Sequence, residues 1–257
     1  MKRSKSPAAD LFERQYGEAL LQYQESFPRL RHWLRPWLCD RFSVTSDIVA
    51  NLCSTPARRR LLDFGCGDGR QSRLAAYRAP AGLAEIVGVD LSASRIAQAQ
   101  ARAATRPESS PLLHFIAGDE TGLESLKGDG FDIVLCIAVF GQVYDLYDLG
   151  RRLCDVLRPG GHLVAEFANY AYIRRRLAFL RGRLPTVSST PIRTWPQIGW
   201  DAAEVHYFTR KTCVEFVQQL GLVVSEIHST GLLANVFRFW SGLLATGFVV
   251  VARKPDS

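Results

Sequence analysis

Three glycines at alternate positions, Gly65, Gly67 and Gly69, follow the apolar run at 61–64 in the stretch RRLLDFGCGDGRQS. An acid, Asp63, stands two residues before the first of them, and Asp90 closes the next apolar run, EIVGVD. Glycine loses more backbone entropy on ordering than any other residue, so three in one loop require a use. Such a loop can take positive φ and let a ligand lie directly on the backbone, while the helix that follows points its unpaired N–H groups into the same space. A carboxylate 21 residues after the last glycine, as Asp90 is, can accept two hydrogen bonds from a ribose diol. Together these residues suit an adenosine-type nucleotide.

The spacing narrows the choice. A dinucleotide loop reads G-x-G-x-x-G, and here the position of its third glycine is Arg70. Asp63 would repel a pyrophosphate, yet it pairs well with an ammonium, directly or through water. A nucleotide-dependent oxidoreductase is therefore disfavoured. A ligand with adenosine at one end and an amino acid at the other satisfies both acids, and S-adenosylmethionine is such a ligand.

The elements that must hold this loop follow from periodicity. Near-continuous apolar runs at 61–65, 85–90, 112–118, 131–140 and 162–168 alternate with helical segments at 70–77, 94–104 and 146–157. That alternation predicts an α/β fold, a parallel sheet with helices on both faces. Residues 159–161, Pro-Gly-Gly, are expected to end the third of these helices. A helix at 209–220, capped by Thr209, and strands at 222–227 and 247–252 complete this part of the chain. Before it, residues 10–26, 30–42 and 44–52 read as helices, the second from Leu30, Trp33, Leu34, Trp37 and Leu38 at i, i+3, i+4, i+7, i+8. Ser43 or Thr45 is the expected cap of the third. The division expected is an N-terminal helical cap over residues 1–57 and a second unit over residues 58–257, with a long substrate-side insertion at about 169–205.

LLDFGCGDGR resembles the first motif of class I S-adenosylmethionine-dependent methyltransferases, and the similarity continues in order at VGVDLS, AGDE, FDIVLCIAVFGQVYD and VLRPGGHLV. The resemblance implies a Rossmann-like sheet of seven strands, mostly parallel, whose last strand inserts antiparallel beside the fifth. Carried over by position, it implies that Asp63, Gly65, Cys66, Gly67 and Gly69 line the methionine end of S-adenosylmethionine. It implies further that Asp90 holds the ribose, that Leu91 packs on the adenine, and that Asp119 accepts from the adenine amino group with Glu120 beside it. Cys136 and Ile137 would contact the cofactor as the chain leaves the fourth strand.

Methyl transfer from a sulfonium needs alignment and exclusion of water more than acid–base help. Candidates near the methyl group are Gln142, Tyr144 and Asp145; Gly141 and Gln142 stand where many relatives have a histidine pair. His206, with Tyr207, ends the insertion and is the candidate base, its other reading being a structural hydrogen-bonding histidine. The insertion carries Tyr170, Tyr172, residues 174–176 (all Arg), Arg181, Arg183, Arg193, Trp195 and Trp200. Arginines grip phosphate or carboxylate and aromatics stack on rings or sugars, so a small anionic or glycosylated acceptor is expected. Its methylated atom is expected to be an oxygen of a sugar, a lipid or a secondary metabolite.

Residues 167–209 also resemble the corresponding part of MetW-type proteins. The match lies at Asn169, Arg174, Gly182, Arg183, Pro185, Trp195 and residues 206–209. This implies an alternative, an accessory partner of an acyltransferase in methionine biosynthesis that need not catalyse.

Composition sets the remaining bounds. The net charge is +7 and the sequence pI is about 9.3, which admits an anionic substrate, a membrane surface or nucleic acid. CIAVFGQ after the fourth strand lacks the motif of amino-group nucleic-acid enzymes, which points away from nucleic acid. Six cysteines show no metal-ligand spacing, so no metal is expected. Cys66, Cys136 and Cys154 read as buried side chains in a reducing cytoplasm. No apolar tract is long enough to span a bilayer.

Overall fold

The computed structural model describes residues 38–55, 57–104, 111–128, 130–183, 204–232 and 238–256. Eight strands form one sheet: β1 (Leu38–Cys39), β2 (Arg59–Phe64), β3 (Leu83–Asp90), β4 (Leu112–Ala117), β5 (Phe131–Ile137), β6 (Leu157–Ala168), β7 (Val223–Leu232) and β8 (Gly247–Arg253). Their order is β1-β7-β8-β6-β5-β2-β3-β4. The five strands from β6 to β4 are parallel. The last strand, β8, runs antiparallel between β6, fifth of the main strands, and β7. The helices are α1 (Arg41–Leu52), α2 (Arg70–Arg78), α3 (Ala93–Ala103), α4 (Leu146–Val156), α5 (Ile173–Leu180), α6 (Arg210–Gln219) and α7 (Ser241–Leu244).

Alternation along the central strands sends side chains to two cores. On β5, Ile133 and Leu135 pack with Ile48 and Val49 of α1 and with Ala75 and Ala76 of α2. Val134 and Cys136 face the other way, toward Leu149 and Leu153 of α4 and Phe216 and Val217 of α6. A strand buried on both faces explains why these segments read as unbroken apolar runs. A phenylalanine group locks the second core: Phe140 stacks on Phe167 at 5.6 Å, and Phe167 meets Phe208 edge-on at 4.8 Å. Such pairs contribute ~0.5–1.5 kcal/mol each beyond area burial. They tie the loop after β5 to the end of β6 and to the segment entering α6.

Several boundaries differ from the sequence expectation. α1 starts at Arg41, with Asp40 as its cap: Asp40 Oδ1 accepts from the N–H groups of Phe42 and Ser43 at 3.1 and 3.2 Å. Thr45 and Ser46 are fully buried inside the helix. Leu38–Cys39 is a strand paired antiparallel with Leu232 and Gly231, not the end of a helix over 30–42; the rest of that segment and the helix expected at 10–26 lie outside the described residues. β6 begins at Leu157, so Pro159, Gly160 and Gly161 lie within its span rather than between it and α4. Gly160 takes φ +73, the left-handed value that lets the strand begin irregularly. β7 runs on to Leu232, and Cys154 is only partly buried. Helix α1, expected within the cap, contributes directly to the core of the sheet.

Candidate functional site

Strand order reverses at β2: β3 and β4 extend to one side of it, β5 and β6 to the other. Ligands of open α/β sheets bind beyond the carboxyl ends of the strands at such a point. The glycine loop leaves β2 there. Gly65, Gly67 and Gly69 take φ of +76, +55 and +72, so all three use a conformation that L side chains rarely adopt. The N–H groups of Gly65 and Cys66 donate to Val89 O at 2.8 and 3.1 Å, fastening the loop to the end of β3. A Cβ on Gly65 would meet Val139 Cγ2 at 2.2 Å, and one on Gly69 would meet Phe115 Cζ at 2.9 Å. At Gly67, among the described residues, a Cβ would meet only Arg95 Nη1, at 3.6 Å. The loop is thus packed at both ends and bare in the middle, where a ligand could lie on the backbone.

Asp90 faces that bare position. Its Oδ2 accepts from Gly67 N–H at 2.8 Å and its Oδ1 from Ser92 N–H at 2.9 Å. These bonds aim the carboxylate at the loop, as a ribose diol would need. Ser92 in turn caps α3 by accepting from Arg95 N–H at 3.2 Å.

Asp63 is held differently. It is buried, and Ser72 Oγ of α2 donates to its Oδ2 at 2.5 Å. Burial pushes its carboxyl up to about 6, Ser72 opposes the rise, and the negative charge of Asp90 adds to it. A carboxylate under that strain is stabilised by any cation brought to the loop, including an amino acid's ammonium. Ser72 escaped the sequence reading; its only signal was a small polar residue one turn into the helix after the loop.

The other expected cofactor residues divide into side-chain and backbone positions. The Cys66 side chain belongs to an apolar cluster with Ile96, Ala99 and Phe115, and burial drives its thiol well above the ordinary range. Cys136 is fully buried in the second core, with its thiol raised in the same way. The Cys66 thiol also lies 3.8 Å from Gly67 O within the loop, whereas Cys136 reaches this region through its backbone, paired with Phe64. Ile137, the last residue of β5, and Leu91, which follows Asp90, are half-buried. Asp119 Oδ1 accepts from Thr121 Oγ1 at 2.5 Å and from Thr121 N–H at 3.0 Å, which holds its carboxyl below the usual range. It starts a 3-10 turn at Glu120, and Gly118 N–H donates to Asp90 O at 3.0 Å, so Asp119 and Glu120 stand at the same edge as Asp90.

On the other flank, β5 exits through Ala138 at φ +58, a non-glycine residue in the left-handed region. That conformation costs ~1–2 kcal/mol. Its N–H donates to Glu166, a buried carboxylate near the end of β6. Arg41 Nη1 lies 3.8 Å from Glu166 Oε2. Burial raises the Glu166 carboxyl, while Arg41, the Ala138 N–H and Arg175 hold it down. Sequence reasoning missed Glu166 and Arg41, because only the register that sets Ile137 opposite Glu166 brings them to the site.

His206 belongs to the same flank. Its N–H donates to Gly141 O at 3.0 Å, and its Nε2 lies 3.1 Å from Tyr144 O. A carbonyl only accepts, so Nε2 is the donor here, and in the neutral imidazole Nδ1 then keeps the lone pair. Tyr144 is exposed, and Asp145 Oδ1 caps α4 by accepting from Asp148 N–H at 2.8 Å. Gln142 N–H donates to Val139 O at 2.8 Å within the same loop. The rings of Tyr170 and Tyr207 meet at 4.3 Å, and Arg175 lies 5.8 Å over Tyr170. Arg193, Trp195 and Trp200 lie outside the described residues. Among the described residues no three His, Cys, Asp or Glu side chains group to hold a metal ion.

This sheet, with a glycine loop at the switch point and an acid on the neighbouring strand end, is the arrangement that the resemblance to class I S-adenosylmethionine-dependent methyltransferases implies. Residues 62–165 match the family model described as Methyltransferase domain. A trans-aconitate 2-methyltransferase of Deinococcus radiodurans is 34% identical over 138 residues, 53% of this chain and 48% of that protein. A ubiquinone biosynthesis O-methyltransferase of Marinobacter nauticus is 28% identical over 118 residues, 44% of this chain and 45% of that protein. The chain thus spans about half the length of these curated relatives. The magnesium protoporphyrin IX methyltransferase of Synechocystis PCC 6803, solved with bound S-adenosylhomocysteine, shares the fold with a TM-score of 0.67 at 16% identity, over 98% of this chain and all of that one.

Proposed function

We propose that the protein transfers a methyl group from S-adenosylmethionine to an oxygen of a small anionic acceptor. The observation that carries the reading is the pairing of Asp90 with the bare backbone at Gly67. In this reading Gly65, Gly67, Gly69 and Asp63 hold the methionine end, and Asp90 shares its carboxylate between Gly67 N–H and the ribose. Leu91, Asp119 and Glu120 flank the adenine, and the backbones at Cys66, Cys136 and Ile137 form the wall between. When bound, the cofactor supplies a methyl group on a sulfonium, a leaving group already activated.

The acceptor side is supported by Arg41 and Arg175, both acting on Glu166, and by the Tyr170–Tyr207 pair. A guanidinium such as Arg41, 3.8 Å from that carboxylate, can also meet an anion. The names of two relatives, one for a carboxylate and one for O-methylation, point the same way. An acceptor that is already ionised needs no base, and one that must lose a proton would offer it to His206 Nδ1.

The test is turnover of labelled cofactor against a panel of carboxylate, phenolic and sugar acceptors. Transfer to one of them, reduced at least ten-fold in kcat/KM by Arg41→Gln, supports the reading. Binding of S-adenosylhomocysteine without transfer to any acceptor, and co-purification with an acyltransferase, supports the accessory role instead.

A further inference from the structure

Helix α5 buries none of its side chains. Its residues Ile173, Leu177 and Leu180 fall at i, i+4, i+7, the spacing that normally turns a stripe into a core, yet Leu180 is 80% exposed and the neighbouring Phe179 65%. Around the stripe stand the exposed Arg174, Arg176, Arg181 and Arg183, and residues 169–183 contain no acid. A second exposed apolar group lies at Phe239 and Trp240. The two are joined at their roots by Asn169, whose Nδ2 donates to Gly242 O at 3.0 Å and Ala245 O at 2.8 Å. Residues 238–245 also contain no acid.

We propose that α5 and the Phe239–Trp240 turn together form a peripheral docking surface for an anionic lipid bilayer. Exposed leucine and aromatic side chains enter the acyl boundary, tryptophan favours the headgroup level, and flanking arginines meet lipid phosphates. Charge complementarity selects this occupant. A second copy of the chain in a two-fold contact would set arginines against arginines, whereas an anionic leaflet attracts each of them. The proposal is independent of the acceptor reading, since it uses neither Asp90, Glu166 nor Arg175.

The test is co-sedimentation of the full chain with phosphatidylcholine vesicles and with vesicles that also contain phosphatidylglycerol. Binding is expected to the second kind and to weaken with salt. Each charge removed should lower partitioning about five-fold, so R174Q/R176Q/R181Q lowers it on the order of 100-fold. F239S/W240S should abolish it, and both variants should keep wild-type affinity for S-adenosylhomocysteine, which shows that they fold. Equal binding to neutral vesicles, no binding at low salt, or an unchanged arginine variant overturns the proposal. So does complete competition by soluble glycerol phosphate, which would mean a small-anion site. A concentration-dependent dimer that F239S/W240S dissolves would likewise overturn it, in favour of a contact between copies.

Discussion

Asp63 and Asp90 stand on either side of one glycine loop and are held in opposite conditions. Asp90 is turned toward the loop by two backbone N–H donors, so Asp90→Ala removes the loop's own anchor and, in the proposed reading, a ligand contact. It should weaken S-adenosylhomocysteine binding by about 2–3 kcal/mol, read by calorimetry; an unchanged affinity would detach Asp90 from the cofactor. Asp63 has a folded pKa raised to about 6 from 3.8. A group raised in this way adds stability that is complete below about pH 4 and lost as pH climbs through 6, with a limiting slope of ~1.4 kcal/mol per pH unit. Asp63→Asn still accepts from Ser72 and carries no charge to desolvate. Its urea midpoint should therefore gain on the wild type between pH 4 and 7, and parallel midpoints would refute the buried-charge account. Glu166 is raised in the same direction but is present in both proteins and cancels. The positive-φ glycine loop and the place of Asp90 beside it were legible from the sequence because both follow from one loop and the next strand end. Ser72 and Glu166 were not, because partners are chosen by helix phase and sheet register rather than by spacing along the chain.

At the scale of elements, the parallel strands were legible from their apolar runs, and their ends were not. Leu38 fits a helical spacing with Leu34 and Trp37, but Asp40 caps a new helix immediately after it, and a cap ends whatever precedes it. The Asp40–Ser43 pair was the available signal. Pro159 to Gly161 read as a break between helix and strand, and the strand absorbs them because Lys254, just past β8, donates its N–H to Gly161 O at 2.8 Å and accepts from Gly160 N–H at 3.0 Å. Asn169, which is fully buried, clamps the segment after β6 to the turn before β8. Asn169→Ala leaves the carbonyls of Gly242 and Ala245 without those donors, at ~1–3 kcal/mol for each unsatisfied group. It should lower the thermal midpoint and open the arginine-rich segment at 174–176 to trypsin. Asn169→Asp should be worse, since a negative charge would face two carbonyl oxygens. A variant with wild-type stability and trypsin resistance would show that Asn169 is not the clamp.

Across the whole molecule, the open question is where the fold begins. α1 was expected in a cap over residues 1–57, yet Ile48 and Val49 lie in the same core as Leu61, Ala75, Ile133 and Leu135. Gln71 Nε2 donates to Ser46 Oγ at 3.0 Å, and Cys53 packs where a Cβ on Gly82 would stand, 2.5 Å from its own Cβ. Burying one such aliphatic side chain contributes ~1.5–3 kcal/mol, and a domain's whole stability is about 5–15 kcal/mol. Losing α1 removes at least two of them and leaves their partners on β2 and β5 bare. A chain of residues 58–257 should therefore lose its cooperative unfolding transition and its affinity for S-adenosylhomocysteine together. A chain of residues 38–257 keeps β1, α1 and every contact just named, and should retain both. The comparison of the two truncations by chemical denaturation separates a helix that completes the sheet from one that only covers it. A sharp transition in the shorter chain, with wild-type affinity, would show that residues 1–57 are a detachable cap after all.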